Sequence, residues 1–235
     1  MIWRLVISFS VAALALQAAT VSGTVNLADN EAHRDAKDGS GVVVWLEPLN
    51  TSSAVLARDT SRKRMLQKNK TFLPHVLAVE VGTTVDFPND DPIFHNAFSN
   101  YNGQIFDVAL YPPGSSRSVT FRRVGVVRVF CNIHSTMSAV IVVVNTSLFA
   151  VTGKDGSFEI EGVPKGDYRV SFYYERATDA TLAGLSKEIP VRDDVQQLAA
   201  TSISESGYLP IPHLNKYGKP YGPTADALGY SSNQQ

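Results

Sequence analysis

Apolar positions in this chain recur mostly at every second residue, in short runs broken by turn residues. Leu77, Val79 and Val81 alternate with Ala78 and Glu80, the period of a strand with one buried face. Gly82-Thr83 turns the chain into Thr84-Val85-Asp86-Phe87, and Pro88-Asn89-Asp90-Asp91-Pro92 is a loop. Pro112-Pro113-Gly114-Ser115 marks another turn, before the alternating run Ser118-Val119-Thr120-Phe121. Gly125 opens Val126-Val127-Arg128-Val129-Phe130-Cys131, in which Val127, Val129 and Cys131 share a face. The thiol therefore points the same way as core valines. Ala139 to Val144 is an apolar closing strand. Many short strands, frequent turns and no helical heptads predict an all-β fold, with a β-sandwich over residues 64–145.

Strand signals also flank this block. On one side lie Thr20-Val21-Ser22-Gly23-Thr24-Val25-Asn26-Leu27 and Gly41-Val42-Val43-Val44-Trp45-Leu46-Glu47-Pro48, within residues 19–50. On the other, Asp155-Gly156-Ser157-Phe158-Glu159-Ile160 leads to Val163-Pro164-Lys165-Gly166-Asp167-Tyr168-Arg169-Val170, within residues 146–205. Residues 51–63 read as a polar linker, and Arg62, Lys63, Arg64, Lys68 and Lys70 make a local basic cluster across its end. Such a run is a solvated segment or a docking patch for an acidic partner. From Ser206 to the end the chain is rich in Pro, Gly and Tyr, which predicts an extended tail without a core of its own. His213 in that tail reads as a surface residue without close partners.

The candidate chemistry sits where the strand 126–131 ends. Cys131 is the only cysteine, and it opens Cys131-Asn132-Ile133-His134-Ser135-Thr136-Met137. Upstream, His95 lies in Asp91-Pro92-Ile93-Phe94-His95-Asn96. One thiolate, two imidazoles and a weak thioether form the ligand set of a blue-copper electron-transfer site. Soft sulfur suits Cu(I) and imidazole suits Cu(II), so such a set tolerates both states with little rearrangement. A closed zinc site would prefer further Cys or His, or a carboxylate, in place of Met137. Taken singly, a buried Cys or a strand His is more often a packing residue. Asp90 and Asp91 precede His95, but carboxylates suit harder ions, and both read as loop-turn residues. His75 stands at a strand start, as a surface group or as a hydrogen-bond partner of the loop that carries His95.

Residues 1–18 read as a signal peptide. Arg4 supplies the positive charge, Leu5 to Leu16 is apolar except for Ser8 and Ser10, and small residues end at Ala18-Ala19. The expected location is periplasmic or secreted, with no membrane span after cleavage. There, an unpaired thiol is a hazard unless it is buried or metal-bound. Removing Arg4 leaves 20 Lys and Arg against 22 Asp and Glu, a net −2. Nothing in that balance points to nucleic acid. There is no phosphate-binding or dinucleotide fingerprint. A copper enzyme would need a second copper with its own histidines. Only five are present, and His33 and His213 are remote in sequence, so the chain is not expected to be an enzyme.

Residues 64–145 resemble a cupredoxin of the plastocyanin and amicyanin kind. The resemblance rests on Phe72-x-Pro74 before an alternating strand and Gly82, on His95-Asn96, and on Cys131-x-x-His134-x-x-Met137, whose short spacing is closer to amicyanin. It implies a Greek-key β-sandwich with one type 1 copper ion at one end. His95, Cys131 and His134 would be equatorial ligands and Met137 axial, with Asn96 helping to hold the ligand loops together. It also implies transient redox protein partners, docking on an apolar rim of Ile133, Pro112 and Phe94 around His134. The flanks resemble a carboxypeptidase regulatory-like, or transthyretin-like, sandwich, through Asp155-Gly156-x-Phe158 and Val163-Pro164-x-Gly166-x-Tyr168. That likeness implies a second, smaller β-sandwich formed by both flanks, with the copper block inserted between them. Two separate β arms packing on the copper block are the other arrangement. The expected function is periplasmic single-electron transfer. Copper storage or delivery without redox turnover is one alternative. A structural or binding module with a vestigial site is the other.

Overall fold

The computed structural model describes residues 18–28, 38–50, 60–100, 103–209 and 212–222. Residues 1–17 of the expected signal peptide, most of the linker and His33 lie outside them. The fold is all-β, in several sheets. Among the described residues one short helix, Asp179–Leu185, departs from the expectation of none, and the Thr178 hydroxyl caps it by accepting from the Thr181 N–H.

The central block is a sandwich of two unequal sheets. The larger has five strands, in the order Val76–Glu80, Ser138–Val144, Gly125–Phe130, Phe98–Ser99, Phe106–Asp107. The smaller runs Ser116–Thr120, Thr84–Pro88, Lys63–Arg64. Val76–Glu80 lies parallel to Ser138–Val144, so distant segments are brought side by side across the sheet. Between the sheets Val79, Val85, Phe87, Val127, Val129, Ile141 and Val143 form one fully buried cluster, which also contains Cys131 and Met137. Alternation along Gly125–Phe130 places Cys131 at the end of this core, as the pattern predicts.

The flanking strands pair with one another. Ala18–Ala28 runs antiparallel to Ser157–Pro164, with Val21 opposite Ile160. Val43–Pro48 lies between Phe149–Val151 and Gly166–Tyr173, and Lys187–Val191 closes that sheet. Val21, Val25, Val44, Leu46, Ile160, Tyr168, Val170 and Phe172 bury their side chains between the two sheets. Gly156 turns the chain with φ +76°, and a Cβ there would lie 2.1 Å from the Val25 carbonyl oxygen. Only glycine meets both conditions.

A third cluster joins the two sandwiches. Val43, Ala78, Val140, Val142 and Val144 are buried together, with Trp45, Phe149 and Tyr173 packed against them. This corrects the reading of Leu77–Val81 as half-buried. Its second face, with Ala78 and Glu80, is covered as well. The same cover explains why Ala139–Val144 is apolar at every position, as in a strand buried on both faces. At the linker's end, Lys63 belongs to the short strand Lys63–Arg64, and Arg62, Arg64 and Lys68 are exposed to solvent. Arg62 is spent in an ion pair with Asp86.

Candidate metal centre

Two loops meet at one end of the central sandwich. The first is held by an antiparallel bridge, in which the His95 N–H donates to the Tyr111 carbonyl and the Tyr111 N–H donates to that of His95. The second is closed upon itself. The Cys131 N–H donates to the Met137 carbonyl at 3.2 Å, and the Met137 N–H to the His134 carbonyl at 3.1 Å. Asn96 ties the loops together. Its Oδ1 accepts the Asn132 N–H at 2.6 Å, and its Nδ2 donates to Asp107 at 3.4 Å.

This framework gathers three donor atoms. The ligand atoms of His95, Cys131 and His134 lie within 4.8 Å of one another. Cys131 Sγ is 3.8 Å from His95 Nδ1 and 3.7 Å from His134 Nδ1. A thiolate at ~2.3 Å and an imidazole at ~2.1 Å from one ion stand roughly 3.6–3.8 Å apart at angles of about 110–120°. Each imidazole nitrogen therefore stands from the sulfur as a fellow ligand of one ion would. His95 and Cys131 are fully buried, and His134 keeps 9% of its surface. Met137 is fully buried in the same core cluster.

Asp91 determines which nitrogen of His95 is available. His95 Nε2 donates to the Asp91 carboxylate at 2.7 Å, which leaves Nδ1 facing the sulfur. The carboxylate also accepts the Asn69 N–H at 2.6 Å and the Lys70 N–H at 2.8 Å. Burial pushes Asp91 up, but these donors and His95 more than offset it, and its pKa is lowered. Asp91 is thus more than the turn residue expected from the sequence. Its spacing four residues before His95 was visible, but in a loop that spacing does not by itself imply contact.

The groups around Cys131 favour its thiolate. Burial alone would raise the Cys131 thiol. Hydrogen bonds from the His134 and His95 rings and from the Asn96 and Ile133 N–H groups outweigh it and bring the thiol to about 5. Burial disfavours a charged His95, yet Cys131 and Asp91 beside it raise its pKa overall. The donor chemistry fits copper. A soft thiolate is presented with two imidazoles, the neighbouring carboxylate is already engaged, and the remaining sulfur nearby in sequence belongs to a thioether.

The other expected residues lie as follows. His75 meets the Ser138 carbonyl through Nδ1 at 3.1 Å and the Glu175 carboxylate through Nε2 at 2.6 Å, rather than the loop carrying His95. Its bond reaches the residue just after Met137. His213 is not a free surface group. Its ring stacks on Phe130 with centroids 4.0 Å apart, and Nε2 donates to the Ser135 carbonyl at 2.7 Å. Of the expected rim, Phe94 is 50% exposed, Ile133 38%, and Pro112 is exposed too. The His95–Tyr111 bridge sets Phe94 and Pro112 on adjoining segments. Leu110, 54% exposed, was missed because it follows no alternating pattern.

No family model matches the chain, and no curated protein sequence matches it. Among solved structures the chain is similar to a purple cupredoxin from Nitrosopumilus maritimus, at 24% identity over 35% of this chain and 99% of that one, with a TM-score of 0.32. It is similar to amicyanin from Paracoccus versutus at 17% identity, over 42% of this chain and 97% of that one, with a TM-score of 0.34. A copper-containing nitrite reductase from Thermus scotoductus matches at 24% identity over 43% of this chain and 26% of that one, with a TM-score of 0.35.

Proposed function

We propose that this chain is a type 1 copper protein that carries single electrons between redox proteins and makes or breaks no bonds itself. The observation that carries the reading is the buried Cys131 Sγ with His95 Nδ1 and His134 Nδ1 each at ligand spacing from it. One copper ion bound there supplies a reversible change between Cu(II) and Cu(I). The protein supplies a thiolate already ionised at neutral pH, two oriented rings and a dry setting. Met137 serves as the weak axial ligand. Because both ligand loops are tied by Asn96, the donors need move little when the charge changes. Electrons pass at the slightly exposed His134 edge, where Phe94, Ile133 and Pro112 form an apolar rim suited to small, transient interfaces. The flanks form a transthyretin-like support, and the mature chain works in the periplasm or outside the cell.

The test is visible absorption and electron spin resonance of the Cu(II)-loaded protein beside Cys131→Ser. An intense thiolate-to-copper band with narrow hyperfine splitting, lost in Cys131→Ser, is the expected result. A colourless copper complex in the parent protein would overturn the electron-carrier reading.

A further inference from the structure

The Cys131–Met137 loop is held from outside by a distant part of the chain, residues 212–222. Polar contacts reach three residues of the loop. Tyr221 donates its hydroxyl to the Cys131 carbonyl at 2.8 Å. The Lys216 N–H donates to Asn132 Oδ1 at 3.0 Å. His213 Nε2 donates to the Ser135 carbonyl at 2.7 Å. A carbonyl only accepts, so His213 carries a proton on Nε2. Its Nδ1 then faces the Tyr221 hydroxyl at 3.2 Å.

The apolar contacts explain why the segment settles there. Phe130 lies on the outward side of its strand, opposite Val129 and Cys131, yet it is 1% exposed. The His213 ring stacks on it, and Phe98 tilts against it with centroids 5.9 Å apart. Tyr221 meets the His213 ring edge-on at 5.1 Å. The segment also has a shape of its own, contrary to the extended tail expected from its composition. Asn215 Oδ1 accepts the Tyr217 and Lys219 N–H groups, and the Asn215 N–H donates to the Lys219 carbonyl. Lys216 Nζ then reaches Asp107 at 2.8 Å, and Asp107 accepts from Asn96 beside His95. The segment thereby touches the supports of both ligand loops.

We propose that residues 212–222 are a strap that holds the Cys131–Met137 loop in its metal-binding shape, with Tyr221 and His213 as positioning residues that slow loss of the ion. The ion's identity rests on the function proposed above, whereas the clamp on the loop does not require it. Each hydrogen bond removed should raise the loop's opening equilibrium by up to about tenfold. Opening exposes the backbone that carries Cys131 and His134, so release of the ion should accelerate by a similar factor.

The experiment compares the full chain with Tyr221→Phe, His213→Leu and His213→Gln. Amide hydrogen exchange is read on metal-free protein, and copper transfer to a chelator on loaded protein. Faster exchange at residues 131–137 in Tyr221→Phe and His213→Leu, by about tenfold, with residues 139–144 unchanged, is the expected result. His213→Gln keeps a donor for Ser135 and should recover part of the loss. Copper release should follow the same order, with a shift of the thiolate band. Unchanged loop exchange in both Tyr221→Phe and His213→Leu would overturn the strap. So would equal acceleration at 139–144, which would mark the segment as general stability only. If the parent protein lacks the thiolate band, the proposed function fails, and the metal-free exchange still decides the strap.

Discussion

His95 donates through Nε2 to Asp91 at 2.7 Å, and this one bond leaves the ring's other nitrogen to face Cys131. The carboxylate is held in turn by the Asn69 and Lys70 N–H groups, so the ring is oriented by backbone rather than by another mobile side chain. Asp91→Asn keeps the shape but leaves one oxygen to serve three donors. Copper affinity should fall by about 10–100-fold, as for other carboxylates behind metal-bound histidines. Competition with a chelator of known affinity measures it. An unchanged affinity would mean that the Asp91 contact does not orient the ligand.

Met137 is fully buried among apolar neighbours, so Met137→Leu nearly conserves volume and should leave the fold intact. If its sulfur donates to the metal, its loss disfavours Cu(II). The reduction potential should then rise by on the order of 50 mV, since tenfold in relative affinity for the two states is about 59 mV. Copper should stay bound. Voltammetry gives the answer, and an unmoved potential would remove Met137 from the ligand set.

His75 joins the two sandwiches through Glu175, which also accepts from Arg128 at 3.1 Å. The hydrogen bond to Glu175 raises the His75 pKa, and burial opposes it. Both ring nitrogens face acceptors, so the doubly protonated ring fits best. A raised folded pKa means that the stabilisation is complete below the unfolded value near 6.5. It fades as pH rises through the folded value. The ring is half exposed, so the effect should stay under about 1 kcal/mol. The difference in melting temperature between the parent and His75→Gln should be largest below pH 6.5 and shrink above it. A difference independent of pH would refute the charge-based account.

Val140 is fully buried in the cluster between the two sandwiches. Val140→Thr changes shape little but places a hydroxyl in that apolar layer. Urea unfolding should show a loss of about 1–3 kcal/mol. A loss near zero would mean that the layer opens to water in solution and that the sandwiches are not firmly joined.

Features governed by near neighbours were legible in the sequence. The two-residue period marked the strands of the central block and put Cys131 in line with Val127 and Val129. The spacing from Cys131 to His134 lies within one tight loop, so it carried information about their meeting. Asp91 was harder, because the same residue type suits a plain turn and a ligand's support equally well. Its role depends on two backbone N–H groups more than twenty residues away.

The longer strands of the central block, the face of each of their side chains and the donor types of the candidate metal centre were therefore set by the sequence alone. They follow from alternation and from the chemistry of the residues. Tertiary structure alone decided that Ala18–Ala28 pairs with Ser157–Pro164, that the second face of Val76–Glu80 is covered, and that His213 and Tyr221 close over the Cys131 loop. In each case the partner lies more than thirty residues away along the chain. A strand or an aromatic ring advertises a surface to be buried, but not which distant surface will bury it. That choice belongs to the packing of the whole chain.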